Sequence, residues 1–132
     1  MEHALHPRTG FRRALVVDDD AWLQLLVRVM LESTKYQVDT ANDGMDACRK
    51  MEAADYDAII CDVMMPKMDG PALHEHLQRM HRPEADRMLF ITGARMDGEA
   101  VHLLHERGCR VLRKPFTADE LNAAVDEVAG AA

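Results

Sequence analysis

The sequence predicts an α/β domain in which helices cover both faces of a doubly wound parallel sheet of five strands. Three short runs, at residues 14–17, 58–61 and 88–91, are wholly apolar, as expected of parallel strands that are buried on both faces. The runs at 37–41 and 110–113 contain polar residues, which is typical of edge strands. Because helical apolar spacing separates successive runs, we expect five strand–helix units with strand order 2-1-3-4-5.

Length and composition favour one globular domain. The chain has 132 residues, of which 48% are hydrophobic and 30% charged. Residues 1–12 are polar and aperiodic and are interpreted as an N-terminal arm, residues 13–129 as the domain, and residues 130–132 as a C-terminal tail. A net charge of -7 disfavours direct nucleic-acid binding as the main activity. No apolar run is long enough to cross a bilayer and no signal peptide is evident, so we expect a cytoplasmic protein without membrane attachment.

Cysteine and histidine usage argues against a disulfide framework or a zinc site. The cysteines are odd in number and widely spaced, and we interpret them as small core residues. They are Cys48, Cys61 and Cys109. Two pairs of histidines on predicted helices lack a matching carboxylate pattern, so we expect them at the surface. They are His74 with His76 and His102 with His105.

The helices are placed by apolar spacing and by capping residues. The first helix is predicted from Ala21 to about Thr34, with a wide buried face. Its apolar residues include Trp22, Leu23, Leu25, Leu26, Val27, Val29 and Met30. Asp97 is expected to open the fourth helix and Gly108 to end it, while residues 117–120 have the spacing of a capping box.

Three carboxylates follow the two strands at which the predicted sheet reverses its winding direction. Asp18 and Asp19 end the first strand and Asp62 ends the third, and ligands bind at such a switch point. Converging carboxylates raise one another's pKa unless a cation offsets their charge, and oxygen ligands of this kind suit Mg²⁺. The alternative interpretation is that residues 18–20 form a solvated turn and helix cap.

A hydroxyl and an ammonium group are predicted at the same edge of the sheet. Thr92 follows the fourth strand and Lys114 follows the fifth. Taken singly, Thr92 would cap a turn and Lys114 would be a surface lysine. Together with a carboxylate and a metal ion, they provide what an aspartyl phosphate needs, because negative charge gathers on the transferring phosphoryl oxygens.

Four segments in order resemble the receiver domain of two-component response regulators. They are residues 16–20, 60–70, 90–93 and 113–116, and the resemblance extends from residue 13 to about 129. It implies a flavodoxin-like fold and a phosphoryl group received from a histidine kinase or a histidine phosphotransfer protein. It also implies that the chain assists its own phosphorylation and dephosphorylation without being a dedicated enzyme.

The resemblance also implies roles for individual residues. Asp62 would be the phosphoacceptor, and Asp19 and Asp62 would bind Mg²⁺ directly. Asp18 would act mainly through water, and Met64 would contribute its backbone carbonyl to the metal. Thr92 and the lysine of a cis Lys114–Pro115 unit would contact the phosphoryl group.

Two sequence features concern how a phosphorylated receiver would pass on its signal. Val111 stands where the family often has an aromatic residue, so the usual aromatic switch is not expected. The surface made by the fourth helix, the fifth strand and the last helix is the expected docking surface and could support a weak homodimer. Its expected charged residues are Arg110, Arg113, Asp119 and Asp126.

Three alternatives stay open on sequence alone. The chain could be the receiver of a hybrid histidine kinase, which would leave the site chemistry unchanged, or a receiver-like module that is never phosphorylated. It could also be a haloacid-dehalogenase-type phosphatase that uses Asp18 and Asp20. That pattern calls for Thr or Val where Trp22 stands, and it leaves Asp62 without a role.

Overall fold

The computed structural model describes residues 12–93 and 98–130, which form a five-stranded parallel sheet with helices on both faces. The strands are β1 (Arg12–Val17), β2 (Tyr36–Ala41), β3 (Ala58–Asp62), β4 (Met88–Thr92) and β5 (Arg110–Arg113). The helices are α1 (Ala21–Glu32), α2 (Gly44–Ala53), α3 (Gly70–Arg79), α4 (Gly98–Glu106) and α5 (Ala118–Ala129). The sheet order is β2-β1-β3-β4-β5, which confirms the predicted order and fold class. Within the described ranges, no helix is long and apolar enough to span a bilayer.

Two apolar layers sandwich the sheet. Side chains of α1 and α5, including Val27, Leu31, Leu121 and Val125, pack on one face. Side chains of α2, α3 and α4, including Met51, Leu73 and Leu104, pack on the other. Burial on both faces explains why β3 and β4 are apolar up to their last residues, Asp62 and Thr92, and it holds the carboxyl ends of the strands along one rigid edge.

Three of the helices have an aspartate as their N-cap residue. Asp20 accepts a hydrogen bond from the backbone N–H of Trp22 and caps α1, and Asp69 accepts one from Ala72 and caps α3. Asp43 caps α2 in the same way. The predicted capping box of α5, at residues 117–120, is present.

The predicted wide buried face of α1 is wrong. Trp22 is 71% exposed, and three further apolar side chains of α1 are also exposed. They are Leu25, Leu26 and Val29. The sequence contains two interlaced sets of apolar residues at helical spacing, and only the set with Val27 and Leu31 faces the sheet. We call the exposed set, Trp22, Leu25, Leu26 and Val29, the α1 stripe.

Two expectations for histidine and cysteine need correction. His74, expected at the surface, is only 3% exposed and lies between α3 and the sheet. The ring fits there because it packs edge-on against Phe90 and bonds to Arg107. Cys61 is buried as predicted, whereas Cys48 and Cys109 are half-buried.

Element boundaries differ slightly from the sequence expectations. β1 begins at Arg12, which had been assigned to the N-terminal arm, and the rest of that arm lies outside the described residues. Asp97, the expected start of the fourth helix, also lies outside them. Gly108 takes a positive φ of 80° just after α4, as expected of a residue that ends a helix. The short 3₁₀ helix at Pro83–Asp86 was not predicted.

Basic side chains cover backbone carbonyls on both edge strands. Arg28 of α1 donates to the Val38 carbonyl of β2 at 3.1 Å, and Lys50 of α2 donates to the Thr40 carbonyl. On β5, Arg110 donates to the Val111 carbonyl at 2.9 Å. These carbonyls point away from the sheet, since the alternate residues of each strand bond to the inner neighbour. We call these three contacts the edge caps.

Candidate functional site

The site is built where β1 and β3 end side by side. Val17 of β1 pairs with Cys61 of β3, so Asp18 and Asp62 occupy the next positions on neighbouring strands. Carboxylate oxygens of Asp18, Asp19 and Asp62 all lie within 4.8 Å of one another. The structure therefore brings together the three carboxylates that the sequence predicted, and we call this group the acidic crevice.

Asp18 is the most enclosed carboxylate of the acidic crevice, at 3% exposure. Burial raises its pKa above the ordinary aspartate range, and the charges of Asp19 and Asp20 act in the same direction. The Asp20 N–H, which donates to Asp18 Oδ1 at 2.8 Å, and the charge of Lys114 oppose this rise without cancelling it. The ionised form of Asp18 is therefore less favourable than that of an ordinary aspartate, chiefly because the side chain is buried.

Gln24 holds the backbone of this region, a role that was not predicted from the sequence. Its side-chain amide donates to the Asp18 carbonyl at 2.6 Å and to the Ala41 carbonyl at 3.2 Å. The Asp18 N–H also donates to the Ala41 carbonyl. The sequence does contain a signal for this role: Gln24 lies one helical turn after Asp20, and that spacing directs a side chain back toward the strand ends.

Thr92 and Lys114 stand at the ends of the next two strands, as predicted. Thr92 is the last residue of β4 and is buried, and the Lys114 N–H donates to the Thr92 carbonyl at 2.9 Å. The charge of Lys114 acts on the pKa of Asp18, so its ammonium group influences the acidic crevice. The Lys114–Pro115 peptide bond is cis, which confirms that expectation.

Gly70 lets the start of α3 approach β3 closely. A Cβ atom at this position would lie 3.0 Å from the Asp62 carbonyl oxygen and 3.1 Å from the Phe90 ring. The Gly70 N–H donates to the Val63 carbonyl at 2.8 Å and so fixes the loop that contains Met64. A side chain at residue 70 would therefore push this loop away from the strand end.

Asp20 does not join the group. Its carboxylate accepts the Trp22 N–H as the cap of α1, whereas Asp62 occupies the position beside Asp18 and Asp19. The alternative of a phosphatase with Asp18 and Asp20 as its catalytic pair therefore has no support in this arrangement.

The expected charge pattern of the α4–β5–α5 surface is partly wrong. Asp126 accepts a hydrogen bond from the Tyr36 hydroxyl at 2.6 Å, so it faces β2 instead of β5. Arg110 pairs with Glu127 within the chain at 2.7 Å. Asp126 is one residue before Glu127, and a step of one residue on a helix rotates the side chain to a different face.

Comparison with known proteins gives the site its context. The family model described as the response regulator receiver domain matches residues 14–126. The chain belongs to this family. Receiver domains in solved structures share its fold, including the chemotaxis protein CheY4 of Vibrio cholerae, with a TM-score of 0.78 and 28% identity. That alignment covers 89% of this chain and 98% of the CheY4 chain.

The curated relatives of this receiver domain are longer proteins. It is 34% identical to the alkaline phosphatase synthesis transcriptional regulatory protein PhoP of Bacillus subtilis, over 89% of this chain and 48% of PhoP. It is 35% identical to the sensor kinase CckA of Brucella abortus, over 86% of this chain and 12% of CckA. The chain thus spans about half or less of the length of these relatives, which are a transcriptional regulatory protein and a sensor kinase.

Proposed function

We propose that this receiver domain accepts a phosphoryl group on Asp62 and signals by changing its surface. The observation that carries the proposal is the acidic crevice, which places Asp62 beside Asp18 and Asp19 at the strand edge where Thr92 and Lys114 also stand. A carboxylate acceptor flanked by a hydroxyl and an ammonium group suits phosphoryl transfer, in which catalysis comes from positioning and charge stabilisation.

The phosphoryl donor is a phosphohistidine of a histidine kinase or a histidine phosphotransfer protein. A carboxylate oxygen of Asp62 forms the new P–O bond as the P–N bond to the donor imidazole breaks, and the imidazole leaves with the electron pair and takes up a proton. Lys114 and Thr92 stabilise the phosphoryl oxygens. This single transfer to the chain itself is not the turnover of a dedicated enzyme, and we place it in the cytoplasm.

Mg²⁺ fits the residues of the acidic crevice. Asp19 and Asp62 would hold the ion directly, Asp18 through water, and Met64 through its backbone carbonyl. All of these donors are oxygen atoms, which is the ligand chemistry that Mg²⁺ prefers, and the net negative charge around Asp18 favours a cation. When bound, Mg²⁺ supplies positive charge that offsets the phosphoryl oxygens.

Phosphorylation on Asp62 is tested with a small-molecule phosphodonor and Mg²⁺, followed by intact mass measurement. The wild type should gain one phosphoryl group. Asp62→Asn should gain none, because an amide has no anionic oxygen to attack with. Asp57→Asn is the matched control, since Asp57 precedes the opposite end of β3, where it accepts the Arg13 N–H at 2.8 Å. A mass increase in Asp62→Asn, or its loss in Asp57→Asn, would refute the assignment.

The α1 stripe supports docking of the phosphodonor protein at this edge. The stripe begins two residues after Asp20, and its spacing suits packing against a helix of a partner. Replacing Trp22 and Leu25 together by serine should reduce transfer from a phosphorylated donor protein about tenfold or more. Transfer from a small-molecule donor should be unchanged, because the substitutions lie outside the acidic crevice.

Met80→Ser is the control for this docking experiment, since Met80 is equally exposed but ends α3. It should transfer at the wild-type rate from both donors. Equal transfer by the Trp22 and Leu25 double variant from the protein donor would show that the stripe does not dock it.

The match to CckA favours one further candidate, the receiver of a hybrid histidine kinase. Its phosphodonor would then belong to the same polypeptide, and the chemistry at Asp62 would be the same. Concentration dependence separates the two, because transfer within one polypeptide is independent of dilution.

A further inference from the structure

A buried polar cluster lies under α3, separate from the acidic crevice. His74 is 3% exposed, and its Nδ1 lies 3.1 Å from Arg107 Nη1. Cys109 Sγ lies 3.6 Å from Nε2 of the same ring, and Phe90 packs edge-on against it. His74 belongs to α3, Phe90 to β4, and Arg107 and Cys109 to the turn between α4 and β5, so the histidine is held between its own helix, the sheet and this turn.

The chemistry of Arg107 fixes the protonation state of His74. A guanidinium group has only donors, so Nδ1 must carry a lone pair to accept its hydrogen bond. The imidazolium form has a proton on both ring nitrogens and would face Arg107 donor to donor and charge to charge. The contact seen in the structure therefore exists only with neutral His74.

Arg107 ties the end of α4 to α3. Its Nη1 donates to the Pro71 carbonyl at 3.0 Å as well as to His74. Leu104 is the buried side chain of α4 in the described part of the helix, and the partly buried Ala100 packs against the same apolar layer. To this packing the two bonds of Arg107 add a polar link between the end of α4 and α3.

We propose that His74 and Arg107 form a proton-operated latch, closed while His74 is neutral and opened when His74 binds a proton. Opening releases Arg107 and loosens the C-terminal end of α4 from α3. The device does not depend on phosphorylation of Asp62, and it would let acidification change the position of a helix that follows the Thr92 strand.

The surroundings of His74 determine whether its pKa is raised or lowered. Burial lowers the pKa of His74 below the ordinary histidine value, and Arg107 lowers it further. The Ala85 backbone and Asp86, both in the 3₁₀ helix, act in the opposite direction without cancelling the decrease. Cys109 carries no charge against the ring at neutral pH, because burial raises the pKa of its thiol. The latch is therefore closed at neutral pH.

The cavity beside the ring brings in the remaining charged groups. It has a volume of about 270 Å³ and is also lined by Arg110 and by Glu127 of α5, which pair with each other. Release of Arg107 toward this cavity needs no opening of the apolar layers.

The latch is tested by an NMR titration from about pH 7.5 down to the pH at which the protein unfolds, because burial and Arg107 lower the pKa of His74 below its ordinary value. In a background of His102→Asn and His105→Asn, which removes the two histidines of α4 itself and is the parent for the variants that follow, the backbone amide signals of residues 103–109 should shift with the same midpoint as the His74 ring. In His74→Asn these shifts should be lost, because the asparagine oxygen replaces Nδ1 as an acceptor and cannot be protonated. His76→Asn, on the same helix, should behave like the parent.

Arg107→Gln provides a second, independent readout. It removes the charge but keeps a donor, so the midpoint of the His74 ring should move to higher pH. An unchanged or lower midpoint would overturn the proposal. So would amide shifts at residues 103–109 that persist in His74→Asn, or a His74 ring that stays neutral until the protein unfolds.

Discussion

The acidic crevice and Asp39 of β2 differ in how the negative charge of their carboxylates is balanced. In the acidic crevice, three carboxylates lie together and the pKa of Asp18 is raised, chiefly by burial. On β2, Asp39 accepts hydrogen bonds from the Tyr56 hydroxyl at 2.6 Å and from Arg13 at 2.8 Å. These partners outweigh the effect of burial and lower the pKa of Asp39.

The difference distinguishes a carboxylate whose partners lie within the fold from one that belongs to the proposed metal site. Asp39 has its donors within the fold, so its charge stabilises the native state. Asp18 has a charge that the fold alone offsets incompletely, which is the arrangement expected where a cation binds. All of these residues are aspartates, so residue type does not distinguish them. The direction of the pKa shift and the presence of neighbouring carboxylates do.

The largest expected effect is on metal binding. Asp19→Asn should weaken Mg²⁺ binding about tenfold or more, because one anionic ligand is lost. Asp39→Asn should bind Mg²⁺ like the wild type. A titration followed by amide NMR measures both affinities, and wild-type binding should weaken as the pH falls, since carboxylates must be deprotonated to bind a metal. Equal losses in the two variants would remove the distinction between the groups.

A smaller effect is expected on stability, with opposite signs in the two groups. Asp39→Asn should lower the free energy of unfolding by about 1 kcal/mol at neutral pH, a modest value because the side chain is 43% exposed. Asp18→Asn should raise the melting temperature in the absence of Mg²⁺, because it removes a buried charge. Thermal unfolding with and without Mg²⁺ measures both, and added Mg²⁺ should stabilise the wild type more than Asp18→Asn.

The pH dependence of these two variants sharpens the same prediction. The pKa of Asp39 is lowered in the folded state, so its contribution is present above the ordinary aspartate pKa and lost as the pH falls. The pKa of Asp18 is raised, so its ionisation destabilises the fold as the pH rises through the folded-state value. The stability difference between wild type and variant should therefore grow with pH in both cases, with opposite sign. Stability differences of the same sign in Asp39→Asn and Asp18→Asn would contradict the opposite pKa shifts assigned to these two residues.

The sequence was sufficient for the fold and for the residues at the strand ends. Uninterrupted apolar runs identify buried parallel strands, and polar residues in β2 and β5 identify the edges, so the order and the convergence of Asp18 with Asp62 could be predicted. The chemical roles of Asp62, Thr92, Lys114 and Met64 stay predictions, which the variants described above test.

Features that depend on side-chain surroundings could not be predicted. The burial of His74 depends on Phe90 and on Arg107, which is 33 residues away in the chain. The exposure of Trp22 depends on which of two interlaced apolar sets of α1 faces the sheet. In both cases, the hydrophobic pattern identifies a helix but does not determine how that helix is rotated against its neighbours.

The edge caps limit how other chains can bind. A strand added to a sheet must bond to the outward carbonyls of an edge strand, and here Arg28, Lys50 and Arg110 already donate to three of them. An incoming strand would have to displace a charged side chain at each of these positions. Association through sheet extension, the route by which exposed edges polymerise, is therefore disfavoured at both edges.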